Sequence, residues 1–140
     1  MEVQINIWAV LLAMASSMVV GSIWYAQGVF GKTWAKLAKV DMSKKDVSVA
    51  KPIIVTIVVS LVTAYVLAHV TYLAHVFYPQ HSFLGCALLT ALWVWGGFTA
   101  ARFITHDAFE GRPFKLTFIN IAHEFVTLML MGLIIGLIGV

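Results

Sequence analysis

Four apolar stretches, residues 5–25, 52–78, 82–105 and 117–139, occupy most of this 140-residue chain. At 1.5 Å of rise per helical residue, each can cross about 30 Å of hydrocarbon. Hydrocarbon offers no partner to a backbone N–H or C=O, and a helix satisfies those groups within the segment itself. The chain is therefore expected to fold as an all-α integral membrane bundle of four transmembrane helices. Composition agrees, with 61% hydrophobic and 11% charged residues, too few charges to cover a soluble domain. Little chain is left between the stretches, so residues 1–140 read as a single membrane domain with no soluble module.

The few charges are informative by position. Lys32, Lys36, Lys39, Lys44, Lys45 and Lys51 lie between the first and second stretches, and Arg102, Arg112 and Lys115 flank the connection between the third and fourth. No other Lys or Arg occurs. The positive-inside rule then places both basic connections in the cytoplasm and both termini outside. No basic residue precedes the first stretch, which is expected to persist as a helix rather than be removed as a signal peptide. The net charge of +3 is spread along membrane flanks and gives no footprint for nucleic acid. Lone Cys86 says nothing about redox compartment.

The first basic connection is patterned. Phe30, Trp34 and Leu37 share one helical face, and Lys32, Lys36 and Lys39 another. An amphipathic interfacial helix over residues 29–40 is expected, its lysines near anionic head groups. Asp41 or Ser43, with Asp46 following, supplies a cap for the next helix, and Pro52 is placed to kink it. The short connection Pro79-Gln80-His81 makes the second and third spans an antiparallel hairpin flanked by interfacial aromatics. Small residues recur at four-residue spacing, at Ala13, Ser17 and Gly21 and at Gly132 and Gly136. Such faces let helix backbones approach closely, within one bundle or between copies of it. One four-helix bundle is thin for a pore, so a homo-oligomer is expected.

Chemistry concentrates in the last stretch. Asn120, His123, Glu124 and Thr127 follow i, i+3, i+4, i+7 spacing and share one helix face. A carboxylate inside a spanning helix costs on the order of 2.5–3.5 kcal/mol on insertion scales, so Glu124 must face protein or water. Arg102, near the end of the third stretch, lies at comparable depth, with His106 and Glu110 continuing its face. Trp24, Tyr25 and Gln27 close the first stretch at the same level. The expected site is thus a polar pocket of the inner leaflet built from Glu124, His123, Asn120, Arg102, His106, Trp24 and Tyr25. It holds a ligand or proton, or it is an Arg102–Glu124 pair that fixes the bundle. No metal site is expected, because Thr127 stands where a second histidine would complete a His-Glu ligand motif. No cofactor motif is present either. A second cluster at the opposite end, Tyr65, His69 and Tyr72 with His75 and His81 beyond, reads as packing.

Two segments carry a family resemblance. Gly21-Ser22-Ile23-Trp24-Tyr25 with Val29-Phe30-Gly31-Lys32-Thr33-Trp34 is one; Gly97-Phe98-Thr99-Ala100 with Asp107, Glu110, Ile119-Asn120 and His123 is the other. Together they resemble the bacterial membrane family known as domain of unknown function 1761, across essentially the whole chain. Ala26-Gln27 stands where many of its members carry a small residue and proline. The resemblance implies a small four-span protein of the bacterial inner membrane and carries no activity with it.

Three functions fit these residues. The first is binding or transport of a small amphipathic molecule, lipid or proton through the cytoplasm-facing pocket. The second is a membrane enzyme on a lipophilic substrate, with His123 or Glu124 as acid or base. The third is a structural or partner-binding protein whose small-residue faces are its working surface.

Overall fold

The computed structural model describes residues 3–40 and 50–139. Among these residues, six α-helices follow one another: α1 (Ile7–Trp24), α2 (Lys32–Ala38), α3 (Ala50–Phe77), α4 (Phe83–Val94), α5 (Ala101–Phe109) and α6 (Phe114–Ile138). No strand occurs among the described residues. A π-helical segment, Trp95–Ala100, joins α4 to α5 without interruption, so that Phe83–Phe109 is one helical span. With α1, α3 and α6 it makes four helices long and apolar enough to cross a membrane. The fold is the all-α, four-span arrangement that the apolar stretches predict.

Local chemistry sets the helix ends. The Asn6 side chain accepts hydrogen bonds from the N–H groups of Trp8 (3.0 Å) and Ala9 (3.4 Å), which starts α1 at Ile7. Ser82 caps α4 by accepting from the Gly85 N–H at 3.0 Å. Pro113 precedes α6 in extended conformation, and the helix begins directly after it at Phe114. Pro52 lies near the start of the described α3, and α3 runs on unbroken to Phe77. The capping roles read for Asp41, Ser43 and Asp46 fall outside the described residues.

The four spans form a ring. α6 packs against α1 and α4, and α3 packs against the same two helices from the opposite corner. Small side chains let them meet closely: Ala9 and Ala13 of α1, Ala64 and Ala68 of α3 and Ala91 of α4 surround Leu67, Leu128, Met131 and Ile135. The tightest contact is between α4 and α6. A Cβ on Gly132 would stand 2.9 Å from the Cβ of Ala91, and one on Gly136 would stand 2.9 Å from the Cα of Leu84. The Gly132–Gly136 face is therefore used inside the bundle.

One region departs from this packing. Residues 50–59 of α3 are all exposed, and Ser60 is the first buried residue of the helix. This half of α3 stands away from α1 and α6 and leaves a groove between the three helices. α2 instead closes against the bundle. Ala35 is buried, Trp34 and Leu37 are half-buried, and Lys32, Lys36 and Lys39 are exposed. The expected helix over residues 29–40 is α-helical over Lys32–Ala38 only, after a π turn at Gln27–Gly31.

Gly132→Ala should lower bundle stability by about 1–3 kcal/mol, because the α4–α6 contact must open to admit a methyl. Gly97→Ala should not, since a Cβ there meets nothing within 4 Å. Thermal denaturation of both variants in mild detergent checks the contrast, and equal loss in the two would refute this packing.

Candidate functional site

The site begins at a tight turn. Gly31 donates its N–H to the Ala26 carbonyl at 3.1 Å, a five-residue closure that folds the chain back under α1. A Cβ on Gly31 would collide with the carbonyl oxygen of Tyr25, so only glycine fits. The turn lays Phe30 on Trp24, ring centroids 4.7 Å apart, and sets Trp34 edge-on to Tyr25 at 5.3 Å. Four aromatic side chains from α1, the turn and α2 thus gather over one face of α6.

Asn120 is the hydrogen-bonding centre of that face. Its Oδ1 accepts from Trp34 Nε1 at 3.1 Å and from the Tyr25 hydroxyl at 3.3 Å. One side-chain oxygen therefore ties α1, α2 and α6 together. One turn further along α6, the His123 ring packs against Tyr25 (5.0 Å) and Trp24 (6.0 Å). Its Nδ1 lies 3.2 Å from Glu124 Oε1. The two side chains retain 13% and 33% of their exposure, respectively.

His123, Glu124 and Thr127 turn into the groove between α1, α3 and α6, a cavity of about 590 Å³. Gly21 and Ser17 line it from α1, and Thr56, Ser60 and Thr63 from α3. Several polar atoms here are buried with no hydrogen-bond partner among the described residues: His123 Nε2, Thr127 Oγ1 and, in the adjoining aromatic cluster, Trp24 Nε1. Buried polar groups are ordinarily paired, and these orphans lie in or beside the walls of the cavity.

Five of the residues expected from the sequence are brought together: Asn120, His123, Glu124, Trp24 and Tyr25. Two are not. Arg102 and His106 are exposed on α5. Among the described residues, the ion-pair contact of Glu124 is with His123, and no Arg102–Glu124 pair forms. The π segment Trp95–Ala100 explains the difference. Each residue added to a helical turn rotates everything downstream by about 100°, so a face projected along an uninterrupted α-helix is not the face delivered. Ala100, at the end of the π segment, and Asp107 of α5 are buried instead.

Asp107 is a second centre, outside the pocket expected from the sequence. It is 5% exposed, accepts a 2.7 Å hydrogen bond from the Thr117 hydroxyl and lies 3.7 Å from Arg112 Nε. It locks the α5–α6 turn and with it the start of α6. Trp95, also missed, donates from Nε1 to the Ile121 carbonyl at 2.8 Å and packs edge-on to Phe125. The α3 contribution was legible in principle, since Thr56, Ser60 and Thr63 fall at i, i+4, i+7. At the opposite end, His69 packs on Tyr65 and His75 on Phe83, and Nδ1 of each histidine is buried without a partner among the described residues.

These features define a class: a small all-helical protein with four membrane-compatible spans and a polar groove set into an apolar bundle. The family model described as "Protein of unknown function (DUF1761)" matches residues 8–136, and the chain belongs to that family. No curated protein and no solved structure matches it.

Asn120→Leu should cost about 1–3 kcal/mol, because it strands the Trp34 N–H and the Tyr25 hydroxyl. Arg102→Gln should change stability by less than about 0.5 kcal/mol, as expected of an exposed side chain. Thermal denaturation gives both values, and a shift in tryptophan fluorescence in Asn120→Leu alone reports the loss of the Trp34 bond.

Proposed function

We propose that the protein binds, and in doing so serves to store or transport, a small amphipathic molecule in the groove between α1, α3 and α6. The observation that carries this reading is the coincidence of three things in one place. An intramembrane carboxylate, orphaned polar atoms and a cavity of ligand size share the same walls. Apolar side chains of α3, among them Ile53 and Val59, face the polar wall of α6 across it, which suits a molecule with one wet and one oily end.

The orientation belongs to the same proposal. All Lys and Arg residues lie in or beside the two connections at one end of the bundle, which puts that end, and the mouth of the groove, at the cytoplasmic face of a bacterial inner membrane. The exposed Lys32, Lys36 and Lys39 of α2 then lie at the head-group level, as an interfacial helix requires. The face at Gly96 and Gly97, open to a Cβ at both positions, is what remains for contact between copies in a homo-oligomer.

Native mass spectrometry of the protein extracted in mild detergent tests the reading. The expected spectrum shows a defined assembly carrying a stoichiometric small molecule, and Glu124→Gln loses that molecule while keeping the assembly. A ligand-free assembly, unchanged by Glu124→Gln, would refute the proposal and leave the polar cluster a structural device.

A further inference from the structure

The groove is unbalanced in hydrogen-bonding character. Four of its hydroxyls are already committed as donors: Ser17 to the Met14 carbonyl (2.7 Å), Ser22 to Met18 (2.7 Å), Thr56 to Pro52 (2.8 Å) and Thr63 to Val59 (2.9 Å), while Thr127 Oγ1 has no partner among the described residues. A hydroxyl that donates to its own helix offers only its oxygen lone pairs to anything else. The Tyr25 hydroxyl, which also borders the groove, is spent on Asn120. Glu124 is the one acidic side chain of the lining, and no Lys or Arg lines it among the described residues. The carboxylate only accepts. The polar wall is a field of hydroxyl acceptors around one carboxylate, with the Thr127 hydroxyl beside them.

That field selects a head group. A phosphate or carboxylate brings more negative charge beside Glu124 and finds no Lys or Arg among the described lining residues to match it. A neutral hydroxyl satisfies one acceptor and leaves the charge alone. A quaternary ammonium matches the charge but has no N–H for the hydroxyl oxygens. A primary ammonium carries the positive charge and three donors on one atom. We infer that the groove selects amphiphiles with a primary ammonium head and a single apolar chain, the head held at Glu124 Oε among the hydroxyls of the groove and the chain lying along Ile53 and Val59 of α3. This inference rests on the reading of the groove as an amphiphile site and names its ligand class.

Four twelve-carbon probes separate the possibilities: dodecylamine, dodecyltrimethylammonium, dodecyl phosphate and dodecanol. Each is titrated into the purified protein in an uncharged maltoside detergent, with tryptophan fluorescence and native mass as readouts. Dodecylamine is expected to bind at least about tenfold more tightly than the other three, the scale of one hydrogen bond to a charged group. Glu124→Gln should abolish that preference, bringing dodecylamine to the affinity of dodecanol. Should Glu124→Gln fail to fold, Thr56→Val serves: Thr56 is exposed, so the bundle stands, and the loss of its oxygen should weaken dodecylamine. Equal affinity for all four probes, or a preference for the phosphate, overturns the ammonium selection while leaving an amphiphile groove. Binding of none of the four overturns both.

Discussion

The contact between α4 and α6 decides how the rest of the bundle is arranged. Gly132 and Gly136 allow α6 to lie against Ala87, Ala91 and Leu84 with no side chain between the backbones. That contact fixes the rotation of α6 about its own axis. At 100° per residue, the Gly132–Gly136 stripe lies about 150° round the helix from the centre of the Asn120, His123, Glu124 and Thr127 stripe. Once the glycines are pressed to α4, the polar stripe has to face α1, α2 and α3. The glycines and the site are therefore two sides of one constraint: a methyl added at the first would turn the second.

The second anchor is the π turn at Gln27–Gly31. It returns the chain beneath α1 within a few residues and delivers Phe30 and Trp34 to the same face of α6 that α1 already covers with Trp24 and Tyr25. Asn120 then joins all three elements through one oxygen. The family-resembling segments Gly21–Tyr25 and Val29–Trp34 thus converge with Asn120 and His123. Gly31 is the residue that makes the convergence possible, because no other side chain clears the Tyr25 carbonyl.

The spans were legible because hydrocarbon imposes a simple rule on length and polarity, and the α6 polar face was legible because a single uninterrupted helix keeps its period. Arg102 shows where that reasoning ends. Its depth was right for Glu124, but facing depends on every turn in between, and a π segment is invisible to a 3.6-residue template. Asp107 was hard to see for a related reason. Its partner Thr117 lies across a turn, and the signal of burial is the pairing itself, which no periodicity encodes. Trp95 and its bond to the Ile121 carbonyl belong to the same kind of tertiary fact. The hydroxyls of α3 did carry a helical period, but among so many apolar neighbours their common face gains meaning only when it is seen opposite Glu124.

The exposed half of α3 also has a physical explanation. If residues 50–59 closed on α1 and α6, they would seal the Glu124 carboxylate with a histidine as its one ion-pair contact among the described residues. Burying a charge with so little compensation costs several kcal/mol. Apolar packing of Ile53 and Val59 returns at most about 1.5–3 kcal/mol for each side chain, and much less when those side chains leave lipid rather than water. The comparison favours an open groove for as long as Glu124 lacks a counter-charge.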